Sequence, residues 1–299
     1  MRFIDKFNPA NSHNGVRESQ LILDNHWNEH DNSYRNLRYD VSKMNGLRNV
    51  LLNEQKPDGD AHSYCCYCMR RLYYGSDGHA NNVTLEHIVP NNISESQWAE
   101  EKDKYLAYRF LNGSHVQVCC GGKLPEEDIS KITSIPHPHF IAYHNISASC
   151  DGSFFEIQDE QDNAIDGNCC NLRRKSGFVP PLYFDCDIEQ KIQYDKKGNV
   201  VYDKEEFGST LFDAEHLNLM CDLLCCIRRL WYRVSQSEYS VQDIQDALSD
   251  SDLRTDILDD VLSLADNKKM AFFYDSERDW SLFFEYSWFY QYYKTKYSA

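Results

Sequence analysis

Four short stretches carry the side chains able to do chemistry. The first is Tyr64-Cys65-Cys66-Tyr67-Cys68, where Cys65 and Cys68 form a C-x-x-C knuckle whose tight turn lets two thiolates meet one tetrahedral zinc ion. Two thiolates are half a site. The best offer for the other half is Ser149-Cys150 together with Cys169-Cys170-Asn171, with Cys170 preferred over Cys169 for its neighbours and the choice between the two still open. A small buried hydrophobe is the ordinary use of a free cysteine, and it suits Cys221, Cys225 and Cys226 on an apolar helix better than the 65/68 pair. A thioredoxin-like redox pair would need a surrounding parallel βαβ pattern that the sequence does not offer.

The second stretch is Thr84-Leu85-Glu86-His87-Ile88-Val89-Pro90, in which a carboxylate beside a histidine, entered through a β-type run and ended by proline, puts a metal ligand and a base on one strand end. The third is His144-Asn145-Ile146-Ser147-Ala148-Ser149-Cys150. The fourth is Cys170-Asn171-Leu172-Arg173-Arg174-Lys175. Alone, a His-Asn pair is usually a hydrogen-bonded turn, and an Arg-Arg-Lys run is usually a solvated face. Their order along the chain is what informs.

The elements that must position these residues fall into three zones. Residues 1–62 are polar, with helical spacing of apolar residues over Gly15 to His26 and Tyr34 to Leu52. Residues 63–185 hold the cysteine and histidine clusters, a β-type run at Asn82 to Leu85, a helix expected over Ser96 to Phe110 and a short helix or turn over Leu124 to Lys131. Residues 186–299 open with a hairpin or loop around the turn sequence between Tyr194 and Val200. Helices follow, one capped by Asp213 and running to about Val234, then others over 241–249, 252–266 and 279–294. Phe283, Phe284, Trp288, Phe289, Tyr292 and Tyr293 form a helical stretch that buries itself or covers a partner, and self-burial is the better reading of aromatics at helical spacing. The fold class expected is α+β: a small irregular core with helical regions on both sides.

Composition narrows the classes. With 31 Lys plus Arg against 47 Asp plus Glu, the chain carries a formal net charge of −16, which argues against a self-sufficient nucleic-acid binder. The apolar content, 41%, is enough for a sizeable core and excludes a chain that is disordered throughout. The most apolar segment, around Leu217 to Val234, is broken by Asp222, Arg228 and Arg229, so no membrane span is expected. No apolar signal region opens the sequence, and twelve cysteines then belong in a reducing, cytoplasmic setting where clustered thiols mean metal before disulfide.

Taken in order, C-x-x-C, E-H-I-x-P, N-[IL]-x-x-S-C and C-N-x-x-[RK]-K resemble the HNH endonucleases of the zinc-supported ββα-metal type. Long insertions between Pro90 and His144 and between Cys150 and Cys169 depart from that pattern. Met1-Arg2-Phe3-Ile4, Leu51-Leu52-Asn53-Glu54-Gln55 and His216-Leu217-Asn218-Leu219 with Arg228 and Arg229 extend the resemblance to the PtuB-type nucleases of Septu and retron-associated anti-phage defence systems. The resemblance implies a ββα-metal core with a zinc knuckle and the following roles. His87 is the general base and Asn145 orients its imidazole by a hydrogen bond. Glu86 and Asn171 hold one Mg²⁺ or Mn²⁺. Cys65, Cys68, Cys150 and Cys170 hold a structural Zn²⁺, and Arg173, Arg174 and Lys175 contact substrate phosphate. It also implies a PtuA-like ATPase of ABC or SMC type as partner and a nucleic-acid substrate, DNA ahead of RNA. Two other classes stay open: an effector cleaving transfer RNA, and a catalytically inactive zinc-stabilised module that binds nucleic acid or protein.

Overall fold

The computed structural model describes residues 1–75, 81–108, 111, 115–125, 136–153, 157–158, 164–165, 168–174, 178–214, 216–249 and 277–297. Asn8 accepts a hydrogen bond from the Ala10 N–H and Pro9 supplies a pre-set φ, so helix α1 begins early and spans Pro9–Glu29. The helix expected over 34–52 contracts to α2, Asn45–Glu54. Left-handed backbone at Asn32 and Asn36 and a single helical turn at Val41–Lys43 take up the residues before it. The two helices pack on each other and bury Leu23, Leu47 and Leu51.

Strand β1 (Val83–His87) pairs antiparallel with β2 (Ile146–Cys150), placing Glu86 opposite Ser147 and His87 opposite Ile146. Every residue of β2 is buried, as is β1 from Leu85 onward. The chain between them returns through α3 (Glu95–Leu106), capped by Ser94, which accepts from the Gln97 N–H. Ile88, Val89, Ile93, Tyr105 and Ala142 close a second small core beneath this excursion. A short helix, α4 (Cys170–Arg174), then packs against β2, so two antiparallel strands and one helix surround the cysteine and histidine motifs. Residues 126–131 of the turn expected after Leu124 lie outside the described residues, as does the whole of 252–266.

In the third zone, Gln193–Tyr194 pairs antiparallel with Val200–Val201 around a turn that places Gly198 at φ +83°, as expected. The next helix, α5 (Asp222–Gln236), starts later than Asp213. Residues 211–214 and 216–220 run through turns, with Asn218 in the left-handed region and its N–H on Asp213 O at 2.7 Å. That detour buries Leu211, Phe212, Leu217 and Leu219, which no single helical face could do. α6 (Val241–Ser249) follows, and the aromatic stretch forms two helices, α7 (Glu277–Glu285) and α8 (Trp288–Tyr297), parted at Tyr286-Ser287. α8 packs on α5, Trp231 stacks on Phe283 at 4.3 Å, and Phe283, Phe289 and Tyr293 have no exposure, so these aromatics bury themselves. One hydrophobic cluster runs from Ile4 through the cysteines to Tyr293, so all three zones share a core. Among the described residues no helix is long and apolar enough to cross a membrane.

Candidate functional site

Cys65 and Cys68 come from the loop joining the paired segments Ser63–Tyr64 and Arg71–Leu72, Cys150 from the end of β2, and Cys170 from the start of α4. Their sulfurs are buried and all lie within 4.8 Å of one another. Cys68 Sγ is 3.6 Å from Cys150 Sγ, and Cys65 Sγ is 3.9 Å from Cys170 Sγ. A tetrahedron with metal–sulfur bonds of about 2.3 Å has edges of about 3.8 Å, so the four thiols can hold a metal ion and their spacing fits zinc. Cys169 Sγ lies 3.3 Å from Cys170 Sγ but outside this group of four, which decides between the two in favour of Cys170.

Backbone geometry makes the cluster. The Cys65 N–H bonds Arg70 O at 2.8 Å, Met69 takes φ +65° to close the turn, and the Tyr67 N–H donates to Cys65 Sγ at 3.5 Å. Burial opposes a thiolate at Cys65, but hydrogen bonding with the Cys150 and Cys170 thiols outweighs it and holds its pKa below the ordinary thiol value. Gln55, at the end of α2, donates from Nε2 to Tyr64 O and Ala148 O (2.7 and 2.8 Å) and accepts the Ala148 N–H at 2.8 Å, joining knuckle to β2. Leu217 O accepts the Cys170 N–H at 3.0 Å, and Asn218 donates from Nδ2 to Asn168 O at 2.6 Å. The flanking words at 51–55 and 216–219 therefore fix the segments that carry the ligands.

The oxygen and nitrogen groups meet at the end of β1. His87 is buried, 8% exposed, and its Nε2 lies 3.1 Å from Phe140 O. A carbonyl oxygen only accepts, so Nε2 carries the proton and Nδ1 keeps its lone pair. Burial lowers the His87 pKa to about 4. Tyr39 meets the imidazole edge-on at 4.6 Å and also lines a cavity of about 520 Å³ together with Arg38 and Lys43.

Asn145 does not touch the imidazole as expected. It accepts the Val89 N–H (2.8 Å) and donates to Val89 O (3.0 Å) and His139 O (2.8 Å), which uses up its amide on backbone. His87 is oriented by the carbonyl next along from His139, so Asn145 acts by fixing that segment. Arg174 also departs from expectation. Its guanidinium is buried, bonds Glu86 Oε1, and donates to His87 O and Ile88 O (2.5 and 2.9 Å), which withdraws it from any solvent-facing phosphate contact. Composition of the Arg-Arg-Lys run gives no hint of this, because the buried carboxylate that draws Arg174 inward lies on another element. Arg173 donates from Nε to Asn168 O at 3.4 Å, and Lys175 lies outside the described residues.

Asn171 follows Cys170 at the start of α4, one turn before Arg174. Glu86 Oε2 is buried and makes no hydrogen bond among the described residues. Leaving a carboxylate oxygen so is costly, and a hard cation at Glu86 would remove that cost. Comparisons with models of known protein families, with curated proteins and with solved structures found no match for this chain.

Proposed function

We propose that this chain is a metal-dependent HNH-type endonuclease hydrolysing phosphodiester bonds, DNA ahead of RNA, as the effector of an anti-phage defence complex with a PtuA-like ATPase in the cytoplasm. The observation carrying this reading is the junction of α4 with the end of β1. Cys170 belongs to the thiol cluster, Asn171 follows it, and Arg174 on the same helix grips Glu86 beside His87. A Zn²⁺ in the four thiols would fix the start of α4 and has a positional role. Mg²⁺ or Mn²⁺ held by Glu86 and Asn171 would supply positive charge against the charge developing on the phosphate and leaving oxygens. His87, neutral at pH 7, accepts the proton of the attacking water at Nδ1 while Phe140 O steadies the Nε2–H. The negative phosphate of a bound substrate raises the imidazole pKa toward the range a base needs. The net charge of −16 supports a partner that presents the substrate.

The test is incubation of the chain, alone and assembled with the ATPase, with plasmid DNA and with total RNA under Mg²⁺ or Mn²⁺. Cleavage by the wild type and at least a 10³-fold loss in His87→Ala, with zinc content and the folded circular-dichroism spectrum retained, is the expected result. Equal rates for the two proteins would reject His87 as the base. Cys68→Ser is expected to lose zinc and unfold the site, since binding of such an ion contributes folding free energy. One observation favours the inactive binding module as a second reading: Arg174 already neutralises Glu86 and His87 is nearly enclosed. Absence of cleavage of both nucleic acids, with and without the ATPase, would select it. Cleavage confined to transfer RNA would select the RNA effector.

A further inference from the structure

A second cleft, of about 890 Å³, opens between α2, the Arg71–Leu72 segment, α6 and α7. In a chain with 47 acidic residues, none of the described residues lining it is Asp or Glu. Cations and rings line it instead. The Arg71 guanidinium lies over the Phe284 ring at 4.5 Å, and at the margin the Arg48 guanidinium lies over Tyr74 at 4.2 Å. The Nε of each arginine is buried and makes no hydrogen bond, and neither pairs with a carboxylate among the described residues. Lys56, exposed at the end of the same cleft, adds a third cation, and Tyr73 a further half-exposed ring.

Arginines of this kind in an acidic protein need an explanation. Other cations of the chain do find carboxylates, as the exposed or half-buried Lys43 and Lys191 and the buried Arg70 do. A guanidinium stacked flat on a ring keeps its outward N–H groups in a fixed plane, which suits phosphate oxygens, and the neighbouring rings offer faces for bases. An acidic peptide would use the cations alone and leave the rings idle.

We propose that this cleft binds nucleotide units, a phosphate at Arg71 and Lys56 with a base against Tyr73 or Tyr74, and that the source is a single strand of nucleic acid. The inference stands on the cleft alone and does not depend on the nuclease reading. It gives a strongly acidic chain a local foothold for a substrate strand away from His87.

The test is fluorescence anisotropy of a labelled ten-nucleotide dT strand with the full chain, zinc-loaded and in EDTA-free buffer lacking Mg²⁺, so that cleavage plays no part. Parallel titrations use AMP and ATP. Binding of the strand is expected to weaken as salt rises. Lys56→Glu, an exposed change that leaves the fold intact, and Tyr74→Ala are each expected to weaken it at least tenfold, and Arg71→Gln more. Tight binding of AMP or ATP with none of the strand would overturn the strand assignment and leave a mononucleotide site. No binding of any of the three, or strand binding indifferent to Lys56→Glu and Tyr74→Ala, would overturn the proposal altogether.

Discussion

Asn145 spends its whole amide on the main chain, accepting from Val89 N and donating to Val89 O and His139 O. Replacing it by alanine strands three buried backbone groups, each costing about 1–3 kcal/mol, so Asn145→Ala is expected to lose at least about 3 kcal/mol. The check is a urea melt, in which the midpoint falls while the slope stays constant. An unmoved midpoint would mean that the amide is not holding these segments. The importance of this position was legible in the sequence, whereas its partners were not. A side chain's hydrogen bonds to backbone 56 residues away follow from how β1 and β2 are brought together, which no local spacing encodes. The same holds for Arg174, whose residue type reads as surface and whose buried partner Glu86 lies on a different element. The thiols were legible because ligand spacing is itself a geometric constraint: a C-x-x-C turn has few conformations, and a tetrahedral ion needs two more sulfurs.

At the scale of elements, the strand bearing Glu86 and His87, the hairpin at 193–201, the helix at 241–249 and the self-buried aromatic stretch follow from pattern. The late start of α5 does not, because residues 216–220 are held by their contacts with the α4 segment, including the bonds from Cys170 and Asn218. Where β2 hands over to α4 the chain passes very close to itself. Gly152 sits at φ +75°, and a Cβ there would lie 1.9 Å from Cys169 O and 2.9 Å from Leu172 N. Both neighbours are backbone of the segment that delivers Cys170, and the Cys169 N–H returns a bond to Gly152 O at 3.0 Å. Gly152→Ala is therefore expected to cost more than about 3 kcal/mol and to release zinc. Gly121→Ala is the control, with a similar φ of +71°, ordinary left-handed backbone and no atom within 4 Å of the added carbon. It should cost only about 1 kcal/mol of backbone strain and leave zinc content alone. Equal melting temperatures and equal zinc for the two variants would show that the close approach does not shape the site.

For the whole molecule, the shared core encloses a group of imidazoles that must stay neutral. His137, His139 and His144 are each at most 2% exposed. Burial lowers the pKa of His137 and His139 to about 4, and burial reinforced by His115 and Lys6 lowers that of His144 to about 3. His139 is further committed by its ring, which lies 3.0 Å from Pro90 O and accepts the Cys119 N–H at 3.2 Å, while Nε2 of His144 meets Ser12 at 3.2 Å. An unfolded histidine titrates near 6.5, so between there and about 4 the unfolded chain binds protons that the folded chain refuses. Stability is then full above about pH 6.5 and falls as pH drops through that window, by at most about 1.4 kcal/mol per pH unit for each histidine. Carboxylate titration enters mainly below about pH 5, so melts taken between pH 7.5 and 5.5 report the buried imidazoles, His87 among them, together with the Met1 amine, whose pKa burial lowers to about 4. His144→Gln, which keeps a polar partner for Ser12 without a titrating ring, should flatten the slope by about one third of the three-histidine value. A wild-type slope already near zero in that interval would mean that these rings accept protons inside the folded chain, and so that the core joining α1 to the β1–β2 pair admits water.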